Sequence, residues 1–106
     1  MYTKVYAMFD KKAQAFLQPF FAATDGLAIR SLMVAVREKG SNFNKFPGDF
    51  ECFWLGTFDD QTGRIESDPK VHPQGVMTGL NALDASEALW DESEMMTRPG
   101  PGSRED

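Results

Sequence analysis

Two side chains on which much metal and covalent chemistry depends are nearly missing from this sequence. Among 106 residues there is one cysteine, Cys52, and one histidine, His72. A single thiol excludes an intrachain disulfide framework. No Cys or His cluster has metal-ligand spacing, so neither a metal nor a cofactor is expected. Long apolar runs are scarce as well. The most apolar stretch, Ala15 to Ala23, is broken by Gln18 and Pro19. A membrane helix needs roughly 20 apolar residues, and no membrane association is expected. The first residues carry Lys4, Asp10, Lys11 and Lys12 without an apolar h-region, so no signal peptide is expected. A lone cysteine without an export signal points to a reducing, intracellular setting.

What remains is ordinary for a soluble domain: 42% hydrophobic and 25% charged residues, in a length that suits one domain. The net charge of −5 hides an asymmetry. Residues 1 to 45 hold Lys4, Lys11, Lys12, Arg30, Arg37, Lys39 and Lys45 against Asp10, Asp25 and Glu38. Residues 46 to 106 hold Arg64, Lys70, Arg98 and Arg104 against thirteen acids. A polyanion-binding face, head-to-tail association and a plain solvated surface all fit this layout.

The alternation of Tyr2 to Phe9 predicts a strand with Tyr2, Lys4, Tyr6 and Met8 on one face and Thr3, Val5, Ala7 and Phe9 on the other. Asp10-Lys11-Lys12 turns the chain. Ala15 to Ala23 reads as a second strand, which Pro19 confines to an edge or a bulge. Thr24-Asp25-Gly26 starts a helix, with Thr24 as cap and Asp25 at the positive end of the dipole. Ile29, Leu32, Met33 and Val36 recur at helical spacing from Leu27 to Lys39, and Gly40 suits the C-cap. Ser41 to Asp49 reads as loop.

Phe50 to Phe58 is apolar on both faces, which predicts a central strand. Asp59 to Gly63 reads as a hairpin connector and Arg64 to Glu66 as its returning strand. Asp68 to Gln74 reads as loop and Gly75 to Leu83 as a short helix weakened by Gly79. Beyond Asp84 the chain turns acidic; Leu89 and Trp90 could dock on a frayed helix, and Pro99 to Asp106 has a disordered composition. The expected fold is α+β, with element order β-β-α-β-β-α. A small, mostly antiparallel sheet carries one main helix, residues 1–83 form the domain and 84–106 an acidic, partly disordered tail.

Catalytic constellations are wanting. Cys52 and His72 share no local motif, and a core cysteine with a surface histidine is the simpler reading. Asp59 and Asp60 do not fit a calcium loop; turn chemistry accounts for them. Gly100 and Gly102 neither follow a strand nor open a helix, so they form no phosphate loop. The chain is expected not to be an enzyme.

Single-stranded nucleic acid is held by basic grooves with aromatic platforms. The first half offers Lys4, Lys11, Lys12, Arg30 and Arg37 for phosphates and Tyr2 and Tyr6 for stacking, with Phe20 or Phe21 on the neighbouring strand. The net −5 opposes phosphate binding unless the acidic tail projects away from the basic face; the tail could equally compete with DNA for it.

Three segments, Val5-Tyr6-Ala7-Met8-Phe9-Asp10-Lys11-Lys12-Ala13, Pro19-Phe20-Phe21 leading to Thr24-Asp25-Gly26-Leu27-Ala28-Ile29-Arg30, and Leu55-Gly56-Thr57-Phe58-Asp59-Asp60-Gln61-Thr62-Gly63, occur in a characteristic order and spacing. Together they resemble the small nonstructural protein of gokushoviruses, the single-stranded DNA phages of the Microviridae. The resemblance spans residues 2 to 83. It implies a small nonstructural bacteriophage protein in the cytoplasm of the infected bacterial host. The implied part is in genome replication, at the switch from double-stranded replication to single-strand synthesis and packaging, with DNA binding invoked. It supplies no catalytic residue. The expected partner is single-stranded DNA. The alternative is an oligomeric interaction module, a dimer in the first instance, that binds a phage or host replication protein without contacting DNA. A scaffolding role fits less well, because scaffolding proteins are often highly helical.

Overall fold

The computed structural model describes residues 1–87. Leu89, Trp90 and the rest of the expected acidic, partly disordered tail from residue 88 onward lie outside the described residues. The long strands β1 (Tyr2–Asp10) and β4 (Phe50–Asp59) pair antiparallel from Tyr2 opposite Asp59 to Asp10 opposite Phe50. The short strands β2 (Ala15–Phe16) and β3 (Phe20–Ala22) flank β1. Strands β5 (Arg64–Glu66) and β6 (Gln74–Thr78) flank β4, again antiparallel. Helix α1 spans Asp25–Arg37, α2 is the single turn Asn42–Lys45, and a 3-10 turn covers Pro47–Asp49. The described part of helix α3 covers residues 79–87. The α+β class and the antiparallel sheet agree with the expectation.

The expected second strand is two. Pro19 has no amide hydrogen to donate, and residues 17–19 separate β2 from β3, although Leu17 N still donates to Met8 O (2.8 Å). Strand β4 is central, as its two apolar faces require, and β5 returns through a turn in which Gly63 has φ +75°.

One face of the sheet receives the helices. Tyr6, Met8 and Cys52 pack with Ala28, Leu32 and Val36 of α1 and Ala82 of α3. The buried stripe of α1 repeats every fourth residue, at Ala28, Leu32 and Val36, with the expected Ile29 and Met33 half-buried beside it. Thr24 caps α1 as expected, its Oγ1 accepting from Leu27 N (3.2 Å).

The other end of α1 differs. Glu38, not Gly40, is the C-cap, and the expected loop after it holds α2. Ser41 Oγ accepts from Asn44 N (3.0 Å) and donates to Ala35 O (3.1 Å), while Asn44 Nδ2 donates to Val36 O (2.7 Å). Carbonyls that the end of α1 leaves open thereby gain partners. The expected Gly75–Leu83 helix starts at residue 79, because Gln74–Thr78 fills the free edge of β4 and Thr78 Oγ1 then accepts from Asn81 N (3.1 Å).

Gly79, at the start of α3, faces main chain. A Cβ there would overlap Pro47 O and stand 3.2 Å from Phe50 O. Gly79→Ala is expected to destabilise the fold by about 1–3 kcal/mol through overpacking, read as a lower urea midpoint with unchanged slope. A midpoint equal to that of the unmodified protein would show that α3 is not held against residues 47–50.

Candidate nucleic-acid interface

The seven residues expected to bind DNA fall into separate groups. Tyr6 is the clearest departure. It is fully buried, its ring stacks on Phe20 at 5.9 Å, and its phenol donates to Asp25 Oδ1. No face of the ring is open to a base. Burial first, then the bond to Asp25, pushes the phenol well above its usual range. Alternation placed Tyr6 with Tyr2 correctly, but α1 covers only the far part of that face. Tyr2, at the strand's start, remains 70% exposed.

Lys4 is engaged as well. Its Nζ lies 3.4 Å from Asp25 Oδ1 and 4.7 Å from the centre of the Trp54 ring. The attraction is modest at such an exposed pair, but the ammonium is shared between a carboxylate and a π face. Asp25 therefore gathers Tyr6 and Lys4 at the start of α1. The phenol hydrogen bond first, and the Lys4 charge after it, hold its carboxyl below the usual 3.8.

Cys52 and His72 have separate surroundings. Cys52 is buried in the core, and desolvation pushes its thiol up to about 11. His72 is half-buried rather than on the surface. It stands edge-on to Trp54 at 4.1 Å, and its Nδ1 accepts from Asp68 N (3.2 Å). Asp59 does serve its turn: Gln61 N (3.0 Å) and Thr62 Oγ1 (3.0 Å) both donate to it.

The sheet face away from α1 carries five phenylalanines. Phe9, Phe16 and Phe53 form a closed triangle with ring centres 4.9, 6.0 and 5.6 Å apart. Phe21 and Phe58 form a second pair at 5.4 Å. None of these five belongs to the core that the helices make. Phe16 is 42% and Phe21 58% exposed, while Val5 and Ala7 between them are buried.

The triangle adjoins the turn that carries Lys11 and Lys12. Both are exposed. The turn is built by Asp10, whose Oδ1 accepts from Lys12 N (3.0 Å) and Ala13 N (3.3 Å), and is tied to the 3-10 segment by Lys11 N donating to Asp49 O (2.8 Å). On its other side lies a shallow cleft of about 420 Å³ lined by Asp10, Lys12, Asn42, Phe46, Asp49 and Phe50. Exposed Lys45 and Phe46 extend this end of the molecule. Sequence reasoning missed Phe16 and Phe46. Alternation gives the face of Phe9, but not which face of the sheet receives the helix. Arg30 and Arg37 stand apart, on the outer side of α1.

These features define a small α+β domain with helices on one face of an antiparallel sheet and phenylalanines on the other. The chain belongs to the Phage ORF5 protein family, a family of phage proteins, whose profile matches residues 3–82. That span runs from β1 into α3. No curated protein and no solved structure matches the chain. Among the described residues no helix is long and apolar enough to cross a membrane, and no group of His, Cys, Asp and Glu is placed to hold a metal ion.

The lowered pKa of Asp25 fixes a pH dependence. Its contribution to stability is complete above the ordinary carboxyl value and is lost as pH falls through the lowered folded value. Asp25→Asn should therefore reduce stability at neutral pH and flatten the acid limb of the stability profile. Parallel acid limbs for the two proteins in denaturant titrations would contradict this.

Proposed function

We propose that this chain is a non-enzymatic accessory protein of a gokushovirus-like phage of the Microviridae. It acts in the cytoplasm of the infected host, in genome replication or in the switch to single-strand synthesis and packaging, by binding single-stranded DNA. One observation carries the reading: the Phe9–Phe16–Phe53 triangle lies beside the exposed Lys11–Lys12 turn. Phe16 and Phe21 offer ring surface to unpaired bases, and the two lysines offer cations to the phosphates between them.

Stacking contributes roughly 1–3 kcal/mol per base, so two stacked bases outweigh the mild repulsion of a net −5 screened by salt. Duplex DNA keeps its bases stacked on one another and gains nothing from the phenylalanines. A preference for single strands follows. Lys45 and Phe46 continue the same combination of charge and ring around the end of the domain. Tyr2 remains available at the opposite end of β1, and Lys4 contributes less because Asp25 already accompanies it.

A specific observation favours a second reading. Phe21, Phe58 and Ile65 extend the apolar face toward β5, and Ile65 is 64% exposed. Such a face also suits a dimer interface or a replication protein of phage or host.

Anisotropy of a labelled single-stranded oligonucleotide at two salt concentrations, with duplex control, separates the two. The protein should bind the single strand in a salt-sensitive way. Lys11→Gln with Lys12→Gln should weaken binding and reduce the salt slope by roughly 1.4, at about 0.7 for each phosphate no longer neutralised. Phe16→Ala should weaken binding by about 1–3 kcal/mol and leave the slope unchanged. Unchanged affinity in both variants would remove this site. No binding at low salt, together with a dimer in sedimentation, would favour the second reading.

A further inference from the structure

We propose that the cleft beside the Lys11–Lys12 turn is a pocket for one unpaired guanine base. The inference rests on the single-stranded DNA reading and names the base that this site selects. The cleft, of about 420 Å³, is lined by Asp10, Lys12, Asn42, Phe46, Asp49 and Phe50. Its volume lies in the range of small-ligand sites. Its charge is mixed, two carboxylates against one ammonium, which suits a phosphate poorly. Backbone bonds tie its walls together. Phe46 N donates to Asn42 O (2.9 Å), Asp49 N to Phe46 O (2.9 Å) and Lys11 N to Asp49 O (2.8 Å). The main chain therefore fixes where the lining residues stand relative to one another.

The side chains differ in what they already do. One oxygen of Asp10 shapes the turn, accepting from Lys12 N and Ala13 N. Among the described residues nothing bonds the Asp49 carboxylate, the Asn42 amide or the Lys12 ammonium. Asp49 is half-buried, Phe50 is buried and Phe46 is 55% exposed. The cleft thus combines an exposed ring, an uncommitted carboxylate and two uncommitted donor groups. Unpaired bases are read by stacking on such rings and by hydrogen bonds to their Watson–Crick edges. The guanine edge carries two adjacent donors, N1–H and the N2 amino group, beside one acceptor, O6. A carboxylate takes both donors at once, and an ammonium or amide donates to O6. Thymine presents one donor between two carbonyls, so one carboxylate oxygen would face an oxygen. Adenine and cytosine each place an acceptor beside their single amino group. The complement of this donor set is therefore guanine, with Asp49 on N1–H and the N2 amino group, Lys12 or Asn42 on O6, and Phe46 against the ring. A carboxylate that weakens phosphate binding gains a use as a base reader.

Anisotropy with labelled oligothymidylates that differ at one central position tests this on the full chain. A strand with a central guanine should bind about tenfold more tightly than the all-thymine strand, within the discrimination of a bidentate pair. Hypoxanthine at that position lacks the N2 amino group and should lose most of the gain. 7-Deazaguanine keeps the Watson–Crick edge and should retain it. Asp49→Asn should abolish the guanine preference without weakening binding of the all-thymine strand. The hypoxanthine strand keeps the test independent of how that variant folds. Equal affinity for the guanine and thymine strands would overturn the pocket and leave the DNA reading standing. A preference that survives with hypoxanthine or in the Asp49→Asn protein would overturn it too. No binding of any strand would overturn the DNA reading, and this proposal with it.

Discussion

The antiparallel pairing of β1 with β4 is the constraint on which the rest of the structure depends. The two strands run side by side from Tyr2 opposite Asp59 to Asp10 opposite Phe50, and every other strand is attached to one of them. A sheet centred on two strands has two faces to cover. On one, α1 and α3 bury Tyr6, Met8 and Cys52. On the other, Val5 and Ala7 are buried beneath phenylalanines, and among the described residues no helix of the core lies above them. The register also shifts between Val5 and Tyr6. That irregularity adds local twist near the point where Asp25 bonds the phenol of Tyr6 and fixes the start of α1 on the sheet.

Much of this was legible because it is local. Thr24 reads as a cap from its own sequence, and its hydroxyl does cap α1. Asp59 to Gly63 reads as a hairpin, since Asp and a positive-φ glycine serve a tight turn. What was not legible depends on partners far along the chain. Alternation put Tyr6 on the face of Tyr2 and Lys4, but the helix that buries it begins at Asp25, 19 residues away. A tyrosine suits a core and a surface equally well. The segment Gly75 to Leu83 failed for a related reason. A short apolar run is ambiguous between helix and strand, and the open edge of β4 drew its first part into β6. The one-turn helix after Ser41 was invisible because its hydrogen bonds go to Ala35 and Val36, at the end of another helix.

The candidate site shows the same division. Lys11 and Lys12 stay exposed because they occupy a turn that Asp10 organises locally. Lys4 does not stay free, because Asp25 and Trp54 come from distant segments. A count of basic residues therefore overstates the surface available to phosphates. Arg30 and Arg37 lie on the outer side of α1, on a different side of the domain from the phenylalanine triangle. The five expected phosphate-binding cations are apportioned among three places rather than spread over one basic face.

That partition bears on how a net charge of −5 can coexist with polyanion binding. The Debye length is about 8 Å at physiological ionic strength. Acids further than that from the Lys11–Lys12 turn are largely screened from a phosphate bound there. The nearest carboxylates matter more, and these are Asp10 and Asp49, which line the same cleft as Lys12. Asp10 spends its oxygen on the amides of Lys12 and Ala13, so its charge partly serves to shape the turn that presents the lysines. On the proposed reading, affinity then rests on ring surface more than on charge, because two lysines beside two carboxylates provide little net field. Such binding would be weaker in salt dependence than that of a basic groove and more selective for unpaired bases.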